Sequence, residues 1–145
     1  MLNKEEIAAR IPHQGTMCLL ERVTSWDEQG IRALATSHRD ASNPLRQGGR
    51  LGSANGIEYA AQAMAVHGSL LATADAPPRQ GYLTSVRSVT LHADRLDTCS
   101  GPLEIEAERL SGDDSVILYQ FTVSAAGRCL LEGRASVVLD AARLT

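Results

Sequence analysis

Aromatic residues are scarce in this sequence: they make up 3% of its 145 residues, with one tryptophan and one phenylalanine. The core must therefore be built from Ala, Leu, Val and Ile. Stacked aromatic side chains, the usual platform for single-stranded nucleic acids and for quaternary ammonium groups, are disfavoured as a site. The net charge of −3 argues in the same direction, so we expect no nucleic acid partner.

The cysteines provide no structural framework. Cys18, Cys99 and Cys129 are odd in number, far apart and without a C-x-x-C pair, so neither a disulfide set nor a zinc knuckle is indicated. No cluster of His, Cys, Asp and Glu has the sequence spacing typical of metal ligands. We therefore expect no metal and no other cofactor.

Long apolar stretches are also missing. The chain runs into charge at Lys4 and Glu5 and lacks the apolar region of a signal peptide. No stretch approaches the roughly 18 uncharged residues of a membrane helix. A chain of 145 residues fits one domain at the usual ~100–200 residues. These absences predict a single cytoplasmic domain, residues 1–145, with no membrane segment.

The first third of the chain predicts one short helix and two strands. Asn3 and the acidic residues behind it are typical of a helix start, and Pro12 ends that helix. The apolar run 17–26 and the alternating run 31–36 predict strands. Proline and glycine then mark a loop over residues 43–52.

A long helix is predicted from Ser53 to about residue 72, with Ser53 or Asn55 as its cap. The apolar positions of its predicted inner face recur at helical spacing: Ile57, Ala61, Met64, Gly68 and Leu71. The helix is also rich in alanine. Small side chains on several faces let other backbone approach closely, which predicts a helix buried within the fold.

The rest of the chain, from Tyr82 onward, predicts four strands. In residues 103–108, Leu, Ile and Ala alternate with three glutamates. Short turns at 111–114 and 126–127 separate strands, so we expect the second half to be an antiparallel meander. The simplest arrangement for such a sheet and one Ala-rich helix wraps the sheet around the helix, an α+β fold.

Few side chains in this sequence can transfer protons near neutral pH. Glu58 lies in the first turns of the long helix, among Ala and Tyr. If that helix is buried, the carboxylate must be paired or held protonated. A solvated first-turn glutamate, favoured by the helix dipole, is the open alternative. Gln62 lies one turn further on the same face, so the two side chains could line one cleft.

Two loops are further candidates. His13 lies in the rigid stretch 11–15; a loop histidine can act as acid or base near neutral pH, although a solvated role is commoner. The glycine-rich stretch 46–52 precedes the long helix, where backbone amides could hold a phosphate. It fits no standard phosphate-binding fingerprint, so a permissive loop is the favoured interpretation.

Two motifs in this order of elements carry a family resemblance. Residues 11–23, Ile-Pro-His-Gln-Gly-Thr-Met-Cys-Leu-Leu-Glu-Arg-Val, are similar to the opening L-P-H-R-x-P-M/F-L-L-x-D/E-R-V, and residues 58–62, Glu-Tyr-Ala-Ala-Gln, to E-x-M-A-Q. Both motifs belong to the hotdog-fold 3-hydroxyacyl-[acyl-carrier-protein] dehydratases of bacterial fatty-acid synthesis. The chain looks most like their relatives from aryl-polyene and other polyketide-like pathways. The resemblance implies a hotdog fold, an antiparallel sheet wrapped around one long central helix.

The sequence departs from this family in one loop. Typical members carry a catalytic histidine in a Q-G-H-F-P loop before the helix, and Gly49 stands at that place here. In the aryl-polyene-type relatives this loop is also altered, while the Pro-His stretch is kept. The resemblance therefore implies His13 as the histidine of the site.

The implied reaction removes water from a 3-hydroxyacyl thioester and leaves a trans-2-enoyl thioester. His13 would take the α-proton and Glu58 would protonate the leaving hydroxyl. Gln62 would contact the substrate, and a backbone N–H near Asn55 or Gly56 would donate to the enolate oxygen. Because hotdog relatives commonly dimerise with the acyl site at the interface, we expect a homodimer in which the two catalytic residues come from different subunits.

The implied partner is an acyl carrier protein or a coenzyme A thioester. Surface arginines such as Arg46, Arg50 or Arg79 could receive an acidic carrier protein. Two alternatives stay open at this point. One is a hotdog acyl-thioester hydrolase, in which Glu58 activates water or attacks the thioester. The other is a non-catalytic acyl-binding or partner subunit, an interpretation that Gly49 favours.

Overall fold

The computed structural model describes residues 1–12, 15–72, 81–113 and 115–139. Three 3₁₀ turns accompany the regular elements, at Gly15–Met17, Ser37–Arg39 and Ser53–Asn55. The helices and strands are, in chain order, α1 (Lys4–Ala8), β1 (Arg22–Trp26), β2 (Gly30–Ala35), α2 (Gly56–Leu70), β3 (Gly81–Leu91), β4 (Leu103–Gly112), β5 (Val116–Ala125) and β6 (Arg128–Leu139).

The predicted start of α1 is confirmed. The Asn3 side chain accepts from the Glu6 N–H at 2.9 Å, and the Glu6 carboxylate accepts from the Asn3 N–H at 3.1 Å. This reciprocal pair is a capping box, which satisfies two backbone donors that the first turn leaves open. The predicted strand over 17–26 is shorter than expected, because a 3₁₀ turn occupies its beginning and β1 starts only at Arg22.

The six strands form one antiparallel sheet in the order β1-β2-β4-β5-β6-β3. The predicted meander is correct for β4, β5 and β6 but wrong for β3. That strand pairs with β6, from Gly81 opposite Leu139 to Leu91 opposite Leu131. The physical reason is the connection over residues 92–102, which is no tight turn, so nothing obliges β3 and β4 to be neighbours.

The helix α2 packs against one face of the sheet, which confirms the predicted α+β hotdog arrangement. The alternation in β4 is as expected, with Leu103, Ile105 and Ala107 buried and the glutamates between them exposed. The buried face of α2 differs from the predicted one. It carries Tyr59, Ala60, Gln62, Ala63, Met64, Val66 and His67, whereas Ile57, Ala61 and Gly68 are only half-buried. An alanine-rich helix offers little apolar contrast between its faces, so hydrogen-bonded polar side chains decide which face turns inward.

One of those polar side chains is His67, which is fully buried. Its Nδ1 lies 2.8 Å from the Tyr119 hydroxyl, and its Nε2 lies 2.8 Å from the Asp27 carbonyl oxygen. A neutral ring satisfies both contacts by donating from Nε2 and accepting at Nδ1. Burial lowers the pKa of His67 and raises that of Tyr119 to about 12. Burial therefore favours the uncharged imidazole, and the two contacts hold the C-terminal end of α2 to the sheet.

This buried histidine predicts a pH-dependent stability. In the unfolded chain His67 titrates near its ordinary pKa of 6.5, whereas burial lowers the pKa in the folded chain. Between the folded and the unfolded pKa the unfolded state binds more protons than the folded state, so the free energy of unfolding should fall as pH falls through this window. The slope is up to about 1.4 kcal/mol per pH unit for one histidine. Burial also lowers the pKa of His38, which adds in the same direction.

Urea unfolding between about pH 7.5 and about pH 5 measures this slope, since carboxylates paired in the folded state act mainly at lower pH. His67→Gln should flatten the curve. An undiminished slope in His67→Gln would show that other groups are responsible.

In the parts of the chain that the structure describes, no helix combines the length and apolar character needed to cross a membrane.

Candidate active site

The loop before α2 turns tightly at two glycines. Gly48 and Gly49 have φ values of 59° and 76°, and Gln47 and Arg50 exchange backbone hydrogen bonds of 2.9 and 3.1 Å across them. Consecutive residues with positive φ form a turn that glycine adopts without steric cost. The permissive-loop interpretation of residues 46–52 therefore accounts for these glycines, including the one at the place of the family's loop histidine.

This loop is fastened to the segment after β3. The Ser53 N–H donates to the Asp94 carbonyl at 3.1 Å, and the Leu96 N–H donates to the Leu51 carbonyl at 2.8 Å. The Asp97 carboxylate accepts from the Leu51 N–H at 3.0 Å. A hydrogen bond from Arg95 holds the pKa of Asp97 well below its usual range. The start of α2 is thus fixed by an ionised carboxylate and a short backbone ladder.

The expectation that Arg46 offers a free surface charge is wrong. Its side chain is 16% exposed, and its guanidinium donates to the carbonyls of Asp40, Gly49 and His38 at 2.8, 3.0 and 3.2 Å. It therefore holds its own loop in shape. Arg50 is exposed but lies 2.8 Å from the Asp94 carboxylate. Arg79 lies outside the described residues.

The first turn of α2 lies against β6. A Cβ added at Gly56 would come within 2.6 Å of the Leu131 side chain, so glycine permits this close approach. The two amides predicted to donate to the enolate oxygen already have partners here. The Asn55 N–H donates to the Gly52 carbonyl at 3.1 Å, and the Gly56 N–H donates into the preceding turn. Both groups are thus engaged within the chain, and the Asn55 side chain also donates to Gly52.

Glu58 is exposed in the single chain, although it stands in the first turn of a largely buried helix. Among the described residues the carboxylate is therefore neither paired in the core nor shielded by it. Around it, the half-buried residues Ile57, Ala61 and Ala65 continue the same side of α2. A site in which Glu58 is shielded from water needs another surface to cover this side.

Gln62 is 1% exposed and binds the chain that precedes β1. Its Oε1 accepts from the Leu19 N–H at 2.9 Å, and its Nε2 donates to the Met17 carbonyl at 2.7 Å. Both polar atoms of the amide are thus committed to backbone. Because the side chain is buried behind these contacts, the predicted direct contact between Gln62 and substrate stays a prediction.

A chain of hydrogen bonds that the sequence did not predict holds the Leu19 carbonyl, whereas Gln62 holds the Leu19 N–H. The Asn43 amide donates to the Tyr59 hydroxyl at 3.0 Å, and that hydroxyl lies 2.9 Å from the Ser37 hydroxyl. Ser37 donates in turn to the Leu19 carbonyl at 2.8 Å. Tyr59 is fully buried and Asn43 and Ser37 nearly so. A buried polar group is satisfied only by such partners, but the partners come from separate elements, and their sequence spacing does not reveal them.

The Leu19 N–H is thus held by Gln62, and its carbonyl is held by Ser37, which contacts Tyr59 in the helix turn that carries Glu58. His13, the predicted base, lies outside the described residues. Met17, four positions along the chain from it, is the residue bound by Gln62. The structure therefore joins Tyr59 and Gln62, which lie in the helix turn that carries Glu58, to the segment that follows the Pro-His stretch.

Comparison with known proteins gives a family match over nearly the whole chain. A family model described as ApeP-like, ApeP dehydratase, matches residues 5–144. No curated protein sequence matches this chain.

Solved structures share the fold at low sequence identity. The dehydratase heterocomplex ApeI:P from Xenorhabdus doucetiae superposes with a TM-score of 0.80 and 24% identity, covering 92% of this chain and 90% of that one. A thioesterase from Haemophilus influenzae gives 0.68 and 13%, with coverage of 96% and 91%. A hypothetical thioesterase with coenzyme A from Streptococcus pneumoniae gives 0.59 and 11%, with coverage of 81% and 83%.

Proposed function

Because the chain belongs to the ApeP-like dehydratase family, we propose that it takes part in the dehydration of a 3-hydroxyacyl thioester to a trans-2-enoyl thioester. One observation supports this site above all. The backbone of Leu19 is hydrogen-bonded to the helix turn of Glu58, directly through Gln62 and indirectly through Ser37 and Tyr59. This arrangement supports a catalytic pair made of that turn and the Pro-His stretch just ahead of the fastened segment.

The proposed chemistry divides one elimination between two side chains. Neutral His13 takes the proton from the carbon next to the thioester carbonyl. The electron pair forms the new carbon–carbon double bond, and the β-hydroxyl leaves as water with a proton from Glu58. The products are the 2-enoyl thioester and one water, with the histidine protonated and the glutamate ionised until solvent resets them. Gln62 acts as a positioning residue, because its amide holds the backbone behind the histidine.

We further propose that the working unit contains two hotdog subunits. To stay protonated, the exposed carboxylate of Glu58 must be shielded from solvent by another surface. Among the described residues, edge strand β3 has a strand partner on one side only, and it carries exposed apolar side chains: Tyr82 at 44%, Leu83 at 37% and Leu91 at 49%. The related ApeI:P structure is itself a heterocomplex. A second copy of this chain and a different hotdog subunit are the two possible partners.

The acyl group would arrive as a thioester on a carrier protein or on coenzyme A. The hypothetical thioesterase of the same fold from Streptococcus pneumoniae was solved with coenzyme A, which supports coenzyme A as a candidate carrier. Arg50 is an exposed cation in the loop before α2, and Asp94 pairs with it. An acidic carrier would have to compete with that carboxylate.

A second candidate is a partner subunit without its own chemistry. The observation in its favour is the turn at Gly48 and Gly49, which has no side chain at the place of the family's loop histidine. In that case the second subunit would supply the acid and the base.

One assay set separates these functions. The chain is purified alone and together with a second hotdog subunit from the same source, and its mass in solution is measured. Each sample then receives a 3-hydroxyacyl carrier-protein thioester. Formation of the 2-enoyl product that is lost in His13→Ala supports the proposal. Release of free thiol indicates a hydrolase, and product formation that survives His13→Ala in the complex indicates the partner-subunit role.

A further inference from the structure

A bulge in β6 changes which of its side chains share a face. Cys129 pairs with Ser124 of β5, and Leu131 pairs with the preceding residue, Val123. Leu130 is thus an extra residue, and both it and Leu131 are buried. A bulge redirects side chains in this way and is common next to functional sites. Cys129 and Glu132, three positions apart, consequently lie on one face, whereas a regular strand would place them on opposite faces.

The partner strand confirms that this face lies away from the core. Glu132 pairs with Thr122 and Cys129 with Ser124. These two β5 residues, two positions apart, flank the buried Val123 on the opposite face.

The end of β3 brings a third side chain to the same place. Thr90 pairs with Glu132 and Leu91 with Leu131, and the His92 N–H donates to the Leu130 carbonyl at 2.8 Å. The Arg128 guanidinium holds the His92 carbonyl at 3.1 Å. His92 thus occupies a defined position beside the bulge.

Three different ligand atoms meet there. His92 Nε2 lies 2.9 Å from Glu132 Oε2, and Cys129 Sγ lies 3.6 Å from the same oxygen. All three atoms lie within 4.8 Å of one another. Ligand atoms around a tetrahedral zinc ion are separated by about 3.3–3.6 Å, given bonds of about 2.0–2.3 Å. The widest separation must therefore shorten by about an ångström, which side-chain rotations can supply because all three side chains are partly exposed.

We propose that His92, Cys129 and Glu132 bind a divalent transition metal ion of the Zn²⁺ type, with water in the fourth position. One imidazole nitrogen, one thiolate and one carboxylate oxygen form a donor set that favours Zn²⁺ over Mg²⁺ or Ca²⁺. The thiolate and the carboxylate together balance the two positive charges of the ion. The occupied site therefore adds no net positive charge next to Arg128. The ion would join the end of edge strand β3 to β6.

Proton release is a consequence of this binding. Burial and the neighbouring Glu132 raise the pKa of the Cys129 thiol, so the metal must displace a proton from the sulfur when it binds. Affinity should therefore increase with pH. The sequence predicted no metal site, because ligands at positions 92, 129 and 132 show no metal spacing until the bulge and the strand pairing bring them together.

The site is separate from the proposed catalytic one. Leu131, between Cys129 and Glu132, points to the opposite face, where it lies against Gly56 at the start of α2. Substitution of the three ligands is therefore expected to leave Glu58 and Gln62 in place.

Cobalt titration of the reduced, chelator-treated full chain without an affinity tag tests the proposal. One equivalent of Co²⁺ should produce a thiolate-to-cobalt charge-transfer band and the strong visible absorption of a four-coordinate ion, and Zn²⁺ should remove both. Cys129→Ser should abolish the charge-transfer band. His92→Gln and Glu132→Gln should each weaken binding at least about 100-fold, above the usual loss for residues that only support a ligand.

Cys99→Ser is the matched control, since this thiol is also half-buried but lies in another segment; it should retain the band. Thermal unfolding without metal checks that each variant folds, and Zn²⁺ should raise the Tm of the wild-type chain but not of Cys129→Ser. Absence of the band in the wild-type chain, or its persistence in Cys129→Ser, would overturn the proposal and leave a surface His–Glu ion pair.

Discussion

Replacement of Glu58 by Gln is expected to lower the rate of dehydration by about 10²–10⁴-fold, the usual contribution of a positioned proton donor. Glutamine keeps the size and hydrogen-bonding capacity of the side chain but has no proton to give to the leaving hydroxyl. The loss should lie in kcat with little change in KM, because the proton is transferred only in the transition state. Steady-state kinetics of the assembled two-subunit unit with a 3-hydroxyacyl carrier-protein thioester measures it.

The stability of the chain serves as an internal control for this variant. Glu58 is exposed, so Glu58→Gln should change the free energy of unfolding by no more than about 0.5 kcal/mol. Glu104→Gln, at an exposed position of β4, is the matched substitution and should retain full activity. Wild-type activity in Glu58→Gln would remove this glutamate from the mechanism and favour the partner-subunit role.

Local signals in the sequence were sufficient to predict most of the helices and strands. The capping residue Asn3 predicted the start of α1, and the alternation of Leu103, Ile105 and Ala107 with glutamates predicted both β4 and its inner face. The place of β3 could not be found in this way. Its partner β6 lies far along the chain, and the choice between β4 and β6 depends on how the connection over residues 92–102 packs against the start of α2.

In the candidate site, too, local features could be predicted from the sequence and long-range contacts could not. Its helix turn was predicted correctly, because Glu58 and Gln62 are one turn apart on a helix. The inward face of that helix was not, since burial of Gln62 and His67 depends on partners at Met17, Leu19 and Tyr119. Polar residues are expected at the surface, and only the completed fold shows which of them have their hydrogen bonds satisfied inside.

Substitution of Gln62 by Leu is expected to lower the free energy of unfolding by about 2–3 kcal/mol. Leucine fills a similar volume, but it leaves the buried Leu19 N–H and the Met17 carbonyl without their partner. An unsatisfied buried polar group costs about 1–3 kcal/mol. Urea unfolding measures the loss. Dehydration should also fall, because the segment next to the Pro-His stretch is no longer held to the turn of Glu58.

Gln62→Glu distinguishes a loss of hydrogen bonds from a general packing defect. An ionised carboxylate can accept from the Leu19 N–H but cannot donate to the Met17 carbonyl, and it is buried without a counter-charge. A protonated carboxyl restores both bonds. The deficit of this variant relative to the wild-type chain should therefore shrink as pH falls, whereas the deficit of Gln62→Leu should stay constant. If both deficits are independent of pH, the two backbone contacts of Gln62 do not account for its effect on stability.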